Sequence, residues 1–88
     1  MANKSFSIQV YTQAEKVYDS DSVTSVVFPA ADGQMGVLYN HAPMLSMVGE
    51  GDLRIQEGDL EKTFHMSGGF FEVSGNKATI LADSFKRV

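Results

Sequence analysis

From Phe6 the chain alternates apolar and polar side chains (Phe6, Ser7, Ile8, Gln9, Val10), a period of two that puts one side of a strand on a core and the other in water. Lys16 to Tyr18 and Val23 to Phe28 read as further short strands, separated by the polar cluster Asp19-Ser20-Asp21-Ser22. Asp32-Gly33 signals a turn and Gly36-Val37-Leu38 resumes an extended run. Leu53-Arg54-Ile55 alternates, Gly58-Asp59 turns, and Lys62 to Met66 alternates back with Phe64 and Met66 on one face. Phe70 to Val73, a Ser74-Gly75-Asn76 turn and Ala78 to Leu81 form a second hairpin. No helical pattern of about eleven residues or more survives. The pattern predicts an all-β fold, a flattened β-sandwich or barrel of about ten short, mostly antiparallel strands, as a single domain over residues 1–88.

Composition narrows the function. Cysteine is absent, which removes disulfide scaffolds, thiolate metal sites and thiol nucleophiles together. Seven basic against eleven acidic residues, net charge −4, argue against nucleic-acid binding driven by phosphate neutralisation. No apolar run approaches the ~20 residues of a membrane span. The N-terminus lacks a basic segment leading into an apolar one, so no secretory signal is expected.

Candidate chemistry is sparse. His41 and His65 are the two histidines, and neither has an acid or second histidine at ligand spacing in its own segment. His65, on the polar phase of a strand, reads as a solvated surface residue. Ser67 lacks the upstream glycine of a nucleophile elbow and reads as a turn or bulge residue. Gly33 and Gly36 form no phosphate-binding fingerprint. A small hydrolase using His41 with an acid has no support in the spacing. No catalytic residue, metal site or cofactor is expected.

The segment from Asp32 to Leu45 breaks the pattern, with two glycines, an Asn-His turn, a proline and several apolar side chains. It reads equally as a corner of the sandwich, bent at Gly36 with Asn40 in a left-handed turn, or as a recognition loop.

Gly33-Gln34-Met35-Gly36-Val37-Leu38-Tyr39-Asn40-His41-Ala42-Pro43 resembles the signature of the epsilon subunit of F-type ATP synthase. Gly51 to Ile55, Ser67 to Val73 and Ala78 to Asp83 follow at fitting distances, so the resemblance covers nearly the whole chain. Asn40 stands where a glycine is common, and Gln34 where some relatives carry a carboxylate. The resemblance implies a flattened ten-stranded sandwich serving as a rotor part. Such a part joins the gamma subunit to the membrane c-ring and couples proton translocation to ATP synthesis, without catalysing it. By position, the resemblance assigns gamma contacts to His41, Ala42, Pro43, Ser46 and Thr12, and c-ring contacts to Asp32, Gly33, Gln34 and Met35. It implies a peripheral location on the cytoplasmic face of the energy-transducing membrane. Longer relatives carry a nucleotide-sensing helical hairpin after the sandwich. The sequence ends at Val88, so that role is not transferred and no ATP binding is expected from these residues. The alternative is a free-standing β-sandwich ligand-binding module, for instance for carbohydrate. It would need a cluster of exposed aromatics, and tryptophan is absent.

Overall fold

A computed structural model describes residues 4–30 and 33–88. It contains β1 (Phe6–Tyr11), β2 (Lys16–Val23), β3 (Ser25–Ala30), β4 (Gly33–Leu38), β5 (Met44–Val48), β6 (Gly51–Glu57), β7 (Leu60–Ser74) and β8 (Lys77–Arg87). Alternation decides the faces, as the sequence predicts: Phe6, Ile8 and Val10 are buried while Ser7, Gln9 and Tyr11 between them are not. Phe64 and Met66 likewise lie together in the core. Two hairpins close with two-residue turns. Gly58 has φ 65° at the β6–β7 turn, and Gly75 and Asn76 both have φ 59° at the β7–β8 turn. Positive φ at both central residues gives the β7–β8 turn its type I′ form, and positive φ at Gly58 alone is the type II′ pattern; both match the twist of the flanking strands.

The eight strands form one continuous hydrogen-bonded sheet that folds over on itself. The first halves of β7 and the last residues of β8 belong to one layer, in the order β4, β3, β6, β7, β8. The other halves belong to the second layer, in the order β2, β1, β8, β7, β5. Counting β7 and β8 once in each layer gives ten strand segments, which reconciles eight strands with an expectation of about ten. All pairings are antiparallel except β1 with β8. On one side the layers meet where Ala30 pairs with Val48.

The space between the layers holds seventeen buried apolar residues and, among the described residues, no buried polar one. Phe28 from the first layer stacks on Phe71 from the second, with centroids 4.2 Å apart and planes 10° from parallel. Such a pair contributes about 1 kcal/mol beyond its buried area. On the opposite side Tyr18 of β2 tilts against Phe64 at 5.0 Å. Its hydroxyl donates to Glu57 Oε2 (2.7 Å) and accepts from Lys62 Nζ (3.0 Å), and Lys62 also pairs with Glu57 at 3.1 Å. Burial alone would raise the Glu57 carboxyl, but hydrogen bonds from Ser20, Tyr18 and Lys62 outweigh it and hold it below its usual range. This half-buried triad fastens an otherwise exposed edge strand to the other layer.

Three local expectations are corrected. The Asp19–Ser22 cluster does not separate two strands: β2 runs through it, because Ser20 and Asp19 pair with Ile8 and Gln9. Two register shifts along that ladder absorb the extra residues as bulges. The break comes instead at Thr24, whose N–H donates to the Gln56 carbonyl as the chain crosses between layers. Gly36 does not bend its strand, since β3 and β4 keep one register from Ser25↔Leu38 to Ala30↔Gly33. Ser67 is not a turn residue but lies within β7.

Candidate functional site

Strand alternation should leave the outer face of each layer polar, and the second layer violates this. Met47, Phe70, Leu81 and Tyr11 are successive cross-strand neighbours on β5, β7, β8 and β1. They form one outward row. Met47 is 65% exposed, Phe70 47% and Leu81 53%, and Leu45, two residues along β5 on the same face, is 70% exposed. A shallow notch of about 230 Å³ opens beside the row, lined by Tyr11, Thr12, Gln13, Gly69, Phe70, Leu81, Ala82 and Asp83. Exposed apolar side chains grouped in this way make the outer face of the second layer the candidate contact surface.

Of the residues expected at a gamma contact, Thr12, His41, Ala42 and Pro43 border this face, and Ser46 does not. Thr12 follows β1 and lines the notch, its N–H held by the Glu15 carbonyl at 2.9 Å. His41, Ala42 and Pro43 lie between β4 and β5, at the end of the layer marked by the β7–β8 turn. There Asn40 has φ 66°, as expected, and its N–H donates to Asn76 Oδ1 at 2.7 Å. His41 Nδ1 donates to the Ala42 carbonyl at 2.7 Å, and Ala42 and Pro43 are exposed. Ser46 lies on the inward phase of β5 with Met44 and Val48, its hydroxyl donating to the Met47 carbonyl at 3.2 Å. Thr12 and the 41–43 segment thus sit at opposite ends of one sheet, roughly 17 Å apart along β5.

Of the expected c-ring contacts, Asp32 lies outside the described residues. Gly33 and Gln34 are exposed and Met35 packs partly against the core. They begin β4 at the tip of the β3–β4 hairpin, the end opposite His41. Gly33 has φ 134° and open space around its Cα, while Pro29 on the other arm accepts the Gly49 N–H at 2.8 Å. The hairpin tip therefore lies at the end of the molecule away from the 41–43 segment, the same end at which β1 runs into Thr12.

Leu45, Phe70 and Leu81 were not singled out by the sequence reading. The available signal was the apolar doublet: Met44-Leu45, Phe70-Phe71 and Ile80-Leu81 each place one large side chain on the wet phase.

No catalytic arrangement emerges from the two candidates. The Ser67 hydroxyl meets the Ser84 hydroxyl at 2.7 Å rather than a base. His65 is partly exposed on the strand surface, and it does have acids. Its Nδ1 is 3.1 Å from Asp52 Oδ1 and its Nε2 3.4 Å from Glu50 Oε2, and hydrogen bonds to Asp52, then Glu50, raise its pKa. Among the described residues no group of three or more side chains could hold a metal ion.

Residues 5–88 match the family model described as ATP synthase, Delta/Epsilon chain, beta-sandwich domain. The ATP synthase epsilon chain of Chlorobium limicola is 40% identical over 83 residues, 93% of each chain. That of Pelotomaculum thermopropionicum is 39% identical over 89 residues, 99% of this chain and 64% of the relative. Among solved structures, a chain of the Euglena gracilis mitochondrial ATP synthase (OSCP/F1/c-ring) superposes with TM-score 0.87 at 21% identity, covering 99% of this chain and 55% of that one. A chain of the Tetrahymena thermophila mitochondrial ATP synthase central stalk/c-ring gives 0.79 at 13%, covering 97% and 68%. These two likenesses show the fold, and the family model with the epsilon-chain relatives goes further: the chain belongs to the delta/epsilon chain family of ATP synthases, matching its β-sandwich domain.

Proposed function

We propose that this chain is a non-catalytic central-stalk subunit of an F-type ATP synthase, joining the gamma subunit to the membrane c-ring and coupling proton translocation to ATP synthesis. The observation that carries the reading is the apolar set Leu45, Met47, Phe70, Leu81 and Tyr11 on the outside of a sheet whose other outward positions on β1, β7 and β8, such as Gln9, Glu72, Thr79 and Asp83, are polar. A rotor part must transmit torque without slipping, and a water-excluding apolar patch with a polar rim is how proteins build durable contacts. Gamma covers this face, with Leu45, Met47, Phe70 and Leu81 at its centre and Thr12, His41, Ala42 and Pro43 toward its ends, and reaches Ser46 only along the open edge of β5. The β3–β4 hairpin tip, Asp32 to Met35, meets the c-ring. The chain is peripheral, held at the cytoplasmic face of the energy-transducing membrane through its partners. In a bacterium this is the plasma membrane.

Isothermal titration of the chain against its gamma subunit tests this. Leu81→Asp places an unpaired charge at the centre of the contact and should weaken binding about 100-fold or more, whereas Ala42→Asp near the end should cost about tenfold. Wild-type affinity in the Leu81→Asp variant overturns the assignment.

A further inference from the structure

We propose that the docking face selects a partner segment carrying an apolar side chain between two cationic ones. The proposal rests on the reading that this face docks gamma, and adds what chemistry the partner must present. Two carboxylates flank the apolar row on opposite sides. Glu72 stands between Leu45 and Thr79 one step toward the β7–β8 turn, and Asp83 follows two residues after Leu81. Both point outward and are exposed. From strand spacings they are roughly 14 Å apart.

Neither carboxylate has a hydrogen bond or ion pair with any described residue. The other acids close to lysine or histidine behave differently: Asp19 holds Lys16 at 2.9 Å, Glu57 holds Lys62 at 3.1 Å, and Glu50 and Asp52 hold His65. The nearest cation with an open charge on this face is Lys77, one step beyond Glu72 at the turn. Covering the row with an uncharged partner would strip water from Glu72 and Asp83 with nothing in exchange, which disfavours that partner. Lysine or arginine on either side of the buried anchor removes the penalty, and the net charge of −4 attracts such a segment from a distance. The notch accepts the anchor itself. Its lining joins the apolar Tyr11, Phe70 and Leu81 to the Asp83 carboxylate.

The test is stopped-flow association of the full chain with its gamma subunit across a salt series. Glu72→Lys/Asp83→Lys should slow association about tenfold at low salt, with the difference shrinking as the Debye length shortens. Glu72→Gln/Asp83→Asn should fall between, and Lys77→Glu should speed association. Unchanged or faster association of the doubly reversed variant, with wild-type binding intact, overturns this inference and leaves the docking reading standing. Failure of the wild-type chain to bind gamma overturns both. All three positions are exposed, so the variants keep the fold, which thermal unfolding of each verifies.

Discussion

An imidazole between two carboxylates holds its proton more tightly than a free one, and His65 is in that position. Hydrogen bonds to Asp52 and then Glu50 raise its pKa above the ordinary 6.5, outweighing a desolvation that would lower it. With the folded value raised, the contribution to stability is fully present below pH 6.5 and is lost as pH rises through the higher folded value. In an NMR titration the His65 ring resonances should have a midpoint above 6.5, and Asp52→Asn should lower it more than Glu50→Gln. A wild-type midpoint at or below 6.5 contradicts the contacts. This site was illegible locally because the acids lie 13 and 15 residues from His65 in the chain. Only the β6–β7 register, which pairs Asp52 with His65, brings the acids alongside. The outward apolar residues were hidden for a related reason, since a doublet such as Phe70-Phe71 does not say which member faces water.

At the level of elements, periodicity made the strands legible and glycine misplaced their ends. Lys62 to Met66 and Phe70 to Val73 read as separate strands, yet β7 runs through the Gly68-Gly69 pair between them. Ser67 pairs with Ser84 and Gly69 with Ala82 in one register. The pair is the bend that carries β7 from one layer to the other. Gly69 has φ 129°, and a Cβ there would overlap the Leu81 carbonyl oxygen. Gly75 has φ 59° but nothing within 4 Å of an added Cβ. Urea unfolding should therefore separate them: Gly69→Ala should lose about 3 kcal/mol or more through backbone collision and strain, and Gly75→Ala about 1 kcal/mol through φ alone. Equal losses would mean that the close approach at Gly69 is not what holds the bend. The polar run through β2 misled for the opposite reason. Asp and Ser usually end strands, but this edge strand shows little of itself to the core and is fastened by Tyr18, Glu57 and Lys62 instead.

For the molecule as a whole, the all-β class followed from alternation and turn chemistry, because those local rules agree with the global fold nearly everywhere. The outer face of the second layer is where they disagree, and such conflicts are expected at functional surfaces. Neither periodicity nor composition could identify a partner; the ordered blocks from Gly33 to Asp83 supplied that expectation, and the exposed row supplies its physical basis. The central claim is that the outer face of the second layer, and not that of the first, is covered by gamma. Hydrogen exchange of the chain alone and bound to gamma measures this directly. Amides of β5, of residues 69–73 in β7 and of residues 78–82 in β8 should gain protection on binding, together with Thr12 and the 41–43 segment. Protection confined to β6 and the first half of β7, around Arg54 and His65, would contradict the account.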